Sequence, residues 1–184
     1  MLHVGSRDEP SVINVVLITV LLLAIALYVI ISLGTGDWTW WNPRFSATPQ
    51  TMVVYCYGQK IKVDPRSYPF KALTEAVNDT LSGRKRWDQL SLSQATYQDY
   101  QSDPSALVVE LFYAEPLRVH SDYKFFSNVD DLIIPIDGHY ASTNAVFGQN
   151  QGVPAAGSLH VESTETLREY LKNLNICPTA QQGN

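Results

Sequence analysis

Residues 12–33 read Val-Ile-Asn-Val-Val-Leu-Ile-Thr-Val-Leu-Leu-Leu-Ala-Ile-Ala-Leu-Tyr-Val-Ile-Ile-Ser-Leu, without one charged side chain. A helix rises about 1.5 Å per residue and the hydrocarbon core of a bilayer is about 30 Å thick, so this run is long enough to cross it. No other segment of the 184-residue chain is as long or as apolar. The sequence therefore divides into a short tail (1–11), a transmembrane helix (12–33), an interfacial linker (34–50), one globular domain (51–177) and a flexible tail (178–184).

The residues after the span fit a membrane exit. Gly34-Thr35-Gly36-Asp37 stops the helix. Trp38, Trp40 and Trp41 then place three indoles at headgroup level, where an apolar ring with one N–H donor is most comfortable. Ser32-Leu33-Gly34 is a poor match to a small-residue cleavage site, so the run reads as an uncleaved signal anchor. Arg7 before the span and Arg44 after it give almost no charge bias. The short tail is the easier end to leave inside, which places the N-terminus in the cytoplasm and the domain outside the cell membrane.

Within the helix, the hydroxyls of Thr19 and Ser32 can bond back one turn. Tyr28 lies deeper than an aromatic belt and is expected to face a neighbouring helix or to snorkel. Ala24 and Ala26 are two apart, and no Gly-x-x-x-Gly pattern precedes Gly34. Homodimerisation through this helix is therefore not expected. Asn14, Thr19 and Tyr28 do not share one face, but any of them suits contact with a different integral membrane protein.

The net charge is −5. That argues against a nucleic-acid partner, which needs a basic face, and against a polybasic grip on anionic lipid. The ten tyrosines and four tryptophans suit a β-containing domain or an interface. Cys56 and Cys177 lie at opposite ends of the domain. They read either as one long-range disulfide or as two separate buried thiols. Neither a Cys-x-x-Cys nor a paired Cys/His spacing suggests a metal or redox centre, and no cofactor is implied.

The domain reads as α+β with a mostly antiparallel sheet and two or three helices. Thr51–Tyr57 and Lys60–Val63 are strands joined by a hairpin with Gly58-Gln59 at its tip. Phe70, Leu73, Val77 and Leu81 form one apolar stripe of a helix over 70–82, stopped by Gly83. Arg84-Lys85-Arg86 reads as a solvated basic helix end, or less readily as a phosphate or partner contact. Ser93–Tyr100 predicts a short helix with Tyr97 and Tyr100 on one face. Ala106–Tyr113 is a central strand, broken by Glu115-Pro116 and resumed over Leu117–His120. Val129–Ile136 is a strand whose Pro135 places it at an edge or at its own end. Asn144–Phe147 and Ser158–Val161 are shorter strands flanking a Gly-rich loop (148–157). A last helix begins near Thr164 and buries Leu167, Tyr170, Leu171 and Leu174.

Few residues suggest chemistry. His120 with Asp122, and Asp137 with His139, form pairs two apart, which on a strand share a face. With His160 they are the candidates for a metal or acid–base site. Asp130-Asp131 suits calcium if it lies in a loop. No nucleophile elbow, P-loop, zinc-protease or dinucleotide pattern occurs. The expectation is a non-enzymatic accessory or structural subunit of a larger membrane complex. The alternatives are a regulatory or ligand-binding domain and, third, a hydrolase with a dispersed site.

Overall fold

The computed structural model describes residues 11–35, 38–39, 41–42, 44–121 and 125–177. The expectations for Trp40, Asp122 and both terminal tails fall outside these residues. The chain forms two compact units, Met1–Asn42 and Pro43–Asn184.

The first unit is built on α1, Val12–Thr35, whose Leu, Ile and Val side chains are almost all exposed. Among the described residues it is the one helix long and apolar enough to cross a membrane. The Thr19 hydroxyl donates to the Val15 carbonyl one turn back, at 2.8 Å. Tyr28 turns toward the exit of the helix. Its hydroxyl donates to the Trp38 carbonyl at 2.6 Å and the two rings lie 6.1 Å apart, so the helix and the exit turn satisfy each other. Trp38 and Trp41 are exposed.

The second unit begins earlier than the sequence suggested. Phe45 and Pro49 are buried, and Ser82 Oγ pairs with both the amide and the carbonyl of Phe45. The latter half of the expected linker is therefore part of the domain. Its strands are β1 (Thr51–Cys56), β2 (Gln59–Val63), β3 (Lys85–Asp88), β4 (Leu107–His120), β5 (Phe125–Asp137), β6 (Ala145–Asn150), β7 (Val153–Pro154) and β8 (Ser158–Val161). Helices α2 (Tyr68–Ser82), α3 (Gln94–Tyr100) and α4 (Glu165–Asn173) join them, with a 3-10 turn over Ala141–Thr143. Every strand pairing is antiparallel, in the order β2-β1-β4-β5-β6-β8-β3, with β7 beside β6. At the β2 edge Lys60 and Lys62 are exposed, which discourages strand addition there.

Alternation along β4 sorts the core into two faces. Leu107, Val109 and Leu111 pack with Phe70, Leu73, Val77 and Leu81 of α2 and Leu167 and Leu171 of α4. Val108 faces the other way and packs with Val53, Tyr55, Ile133 and Phe147 beneath Tyr97 and Tyr100 of α3. Each fully buried aliphatic side chain contributes about 1.5–3 kcal/mol. Cys56 and Cys177 are bonded, with Cα atoms 5.5 Å apart across a sequence separation of 121. The bridge ties the segment after α4 to the end of β1.

Several local expectations change. The β1–β2 turn is Tyr57-Gly58, one residue earlier, because Cys56 pairs with Gln59. Both turn residues have positive φ, the pattern of a type I′ turn. Glu115-Pro116 does not break β4. The strand continues to His120, and register shifts between Phe112 and Val119 absorb the irregularity. Pro135 lies inside a strand with partners on both sides. Its missing N–H is tolerated because β6 pairs only with Asp131–Ile133 and a bulge sits opposite, at Leu107/Val108. Lys85 is no solvated helix end: it is 3 % exposed, and its Nζ donates to the carbonyls of Leu81 and Gly83 at the terminus of α2. A charge there satisfies orphan carbonyls and opposes the helix dipole. The Gly-rich loop is shorter than expected, since Gly148 belongs to β6 and the turn lies at Gln151-Gly152.

Candidate functional site

The most unusual chemistry lies on the α3 face. Glu110, in the middle of β4, is 0 % exposed. It stands between three elements. Tyr55 of β1 donates to its Oε2 at 2.8 Å, and Tyr97 of α3 donates to its Oε1 at 2.7 Å. Asp131 of β5, 4 % exposed, hydrogen-bonds to the same carboxyl group. The ladder explains the meeting. Glu110 pairs with Ile133, and Asp131 is the diagonal same-face neighbour two residues along β5.

Two buried carboxyl groups in contact cannot both ionise cheaply. Burial, and then the Glu110 charge and hydrogen bond, push Asp131 up to about 9. At neutral pH Asp131 is a neutral acid donating to Glu110. Burial and the same carboxyl groups also push Tyr55 and Tyr97 well above the ordinary phenol range, so both remain hydroxyl donors.

Directly opposite Asp131 in the β5–β6 register is Gln149, 1 % exposed. Gln149 Nε2 and Asp131 Oδ1 have no hydrogen-bond partner among the described residues. Both residues line a cavity of about 400 Å³, with Tyr97 and Gln94 of α3, Phe112 of β4 and Gly152 of the β6–β7 turn. The sequence signal for this cluster was a charge, Glu110, inside an otherwise apolar strand. Gln149 fell in a stretch read as loop, so its face was not assigned.

The residues singled out from sequence have other partners. Asp137 accepts from Tyr57 at 2.9 Å and from Arg168, whose Nη2 also donates to the Ile136 carbonyl at 2.6 Å. This clamp fastens α4 to the end of β5. His139 stacks on Tyr140 with ring centres 3.9 Å apart, and its carbonyl accepts from Tyr100. His160 makes the nearest approach to a catalytic arrangement, with Ser158 Oγ at 3.4 Å and Asp88 Oδ2 at 3.3 Å. Both contacts use the same nitrogen, Nε2. A Ser-His-Asp relay needs one ring nitrogen for each partner, so this geometry does not pass a proton from serine toward the carboxylate.

Asp130 and Asp131 lie within β5 and not in a loop, so they point to opposite faces. Asp130 accepts the Gln151 amide with both oxygens, at 3.0 and 3.1 Å, while Asp131 turns inward. They do not converge on a calcium ion. Among the described residues, no three His, Cys, Asp or Glu side chains form a metal-binding group. Comparison with known proteins finds no protein family, no curated protein and no solved structure that this chain matches.

Proposed function

We propose that this chain is a single-pass, membrane-anchored, non-enzymatic subunit whose antiparallel α+β domain stands on the extracytoplasmic side and supports a larger membrane complex. The observation that carries this reading is the pairing of an exposed apolar helix with a Cys56–Cys177 disulfide in the domain that follows it. Such bridges persist in oxidising compartments, which favours the extracytoplasmic side. The use of Asp137 as a structural clamp and of one nitrogen of His160 for two partners supports a scaffold role over a hydrolytic one. The lipid bilayer and other integral membrane proteins are the partners this reading implies.

Purification in mild detergent tests it. Stoichiometric co-elution with a much larger complex is expected, together with activity of a C-terminal reporter only outside the cytoplasm. A solitary monomer, or a reporter active only in the cytoplasm, would overturn it. A second reading, a ligand-binding domain, is favoured by one specific observation: the cavity floored by Asp131 and Gln149.

A further inference from the structure

We propose that the cavity between the start of β3 and the 3-10 turn over Ala141–Thr143 binds the phosphate group of a small phosphate monoester, held by Arg84 and Arg86. The site is separate from the acid cluster and does not depend on the subunit reading.

Arg84-Lys85-Arg86 is the basic triplet that follows α2. The fold divides its three charges. Lys85 turns inward, where its Nζ donates to the carbonyls of Leu81 and Gly83. Side chains alternate along an extended chain, so the residues on either side of Lys85 share the opposite face. Both arginines are exposed, and both line one cavity of about 620 Å³. That volume lies within the usual range of small-molecule sites. Among the described residues neither guanidinium has a hydrogen bond or an ion pair, whereas Arg168 has both.

Two guanidiniums on one face of a strand repel each other, and an anion lying between them relieves that repulsion. The guanidinium fork binds phosphate or carboxylate oxygens in pairs. The walls of the cavity are held in place. Arg86 lies opposite His160 in the β3–β8 ladder. On the side of the turn, Asn144 Nδ2 donates to the Glu162 carbonyl at 3.3 Å and Thr164 Oγ1 donates to Asn144 Oδ1 at 3.2 Å, which ties the turn to the end of β8. Ser142 of the same turn adds an exposed hydroxyl to the lining.

Charge selects the ligand. The two cavities lined by Asp130 have no Lys or Arg in their walls. Here two arginines share the lining with one exposed carboxylate, Glu162. The Asp88 carboxylate is engaged by His160 at 3.3 Å. A phosphate monoester carries nearly two charges and three terminal oxygens, enough for both guanidiniums and the Ser142 hydroxyl. A monocarboxylate has one charge and two oxygens, and gains less against Glu162.

The test uses the full-length protein in an uncharged detergent, with inorganic phosphate as the probe, followed by phosphorus NMR. Saturable broadening of the phosphate resonance is expected, and acetate should displace phosphate only at about tenfold higher concentration or more. Arg84→Gln and Arg86→Gln should each weaken phosphate binding about tenfold or more, the equivalent of one lost charged hydrogen bond. Glu162→Gln removes the opposing carboxylate and should strengthen binding. Arg66→Gln removes one positive charge from an exposed turn elsewhere and should leave binding unchanged. Absence of broadening with the wild-type protein overturns the proposal, as does displacement by acetate at equal concentration. Binding unchanged in either arginine variant, weakened in Glu162→Gln, or weakened as much in Arg66→Gln also overturns it. Adding phosphatidic acid to phosphatidylcholine nanodiscs that hold the protein separates the sources. Phosphate displaced identifies a lipid headgroup and phosphate retained a soluble ester, and both results uphold the site. Co-elution with a large complex that lacks phosphate binding would sink this inference alone. Phosphate binding by a solitary monomer would sink the subunit reading alone.

Discussion

Asp131→Asn is the substitution whose effect follows most directly from the buried acid pair. The folded pair holds a proton that the unfolded chain releases, because the Asp131 carboxyl rises from 3.8 to about 9 on folding. Below the lower value both states are protonated and nothing is lost. Between the two values the native state binds one more proton, so stability falls tenfold per pH unit as pH rises. Above the upper value the loss is complete. At pH 7 the accumulated deficit spans just over three decades, about 4 kcal/mol as an upper figure. Asparagine fills the same volume and can donate its Nδ2–H to Glu110, but it does not titrate. The variant should therefore be more stable than wild type at neutral pH by up to that amount, and the gap should shrink on acidification. The measurement is guanidinium unfolding of the full-length protein in detergent, followed by near-ultraviolet circular dichroism from about pH 5 to about pH 8. Wild type should lose close to one decade of folding constant per pH unit relative to the variant. Parallel curves across that window would show that the pair does not share a proton in the folded state.

Three other substitutions probe the frame around the cluster. Replacing Cys56 and Cys177 together by Ser opens a loop with a sequence separation of 121 and should cost about 5 kcal/mol on the chain-entropy account, read by denaturant midpoint with and without reductant; equal midpoints would contradict it. Gly157→Ala should destabilise by roughly 3 kcal/mol, since φ is +82° and an added Cβ would lie 2.6 Å from the Asp88 carbonyl oxygen and 2.5 Å from the Trp87 ring; an unchanged thermal midpoint would refute this packing. Lys85→Met removes the buried ammonium from the carbonyls of Leu81 and Gly83 and should cost about 2–3 kcal/mol, with hydrogen-exchange protection lost first at the end of α2; protection lost first elsewhere would argue against the cap.

The elements were most legible where one periodicity ran without interruption. The stripe Phe70, Leu73, Val77 and Leu81 specified α2, and the apolar run 12–33 specified α1. The hairpin tip was misplaced by one residue because Gly58 suits the first position of one turn type and the second of another. The side chains alone do not choose. The choice follows from β1–β4 pairing, which aligns Cys56 with Leu107 and lets Tyr57 N–H donate to the Ala106 carbonyl. The length of the β4–β5 hairpin was hidden for a similar reason. Glu115-Pro116 is a strong local breaker, yet register shifts carry the pairing past it. The gain is long-range: Val119, Phe126 and Val129 reach the core under α2 and α4.

The acid cluster was the least legible part, and its position in the fold explains why. Glu110, Asp131 and Gln149 come from three strands separated by turns of quite different length. They meet only because β4, β5 and β6 are consecutive in the sheet and in a particular register. A shift of one residue in the β4–β5 pairing would put the two carboxyls on opposite faces, and one in the β5–β6 pairing would turn Gln149 away from Asp131. Gly148 makes the neighbouring register physically allowed, since a Cβ there would approach Val129 Cγ1 to 2.7 Å. With Gly148 in place, Val129 packs down on the α2–α4 face while Gln149 and Asp131 face each other on the α3 face. The buried charge in an apolar strand and the glycine beside a buried glutamine are thus two parts of one arrangement, in which the sheet gives up stability at Asp131 to hold a polar floor beneath α3.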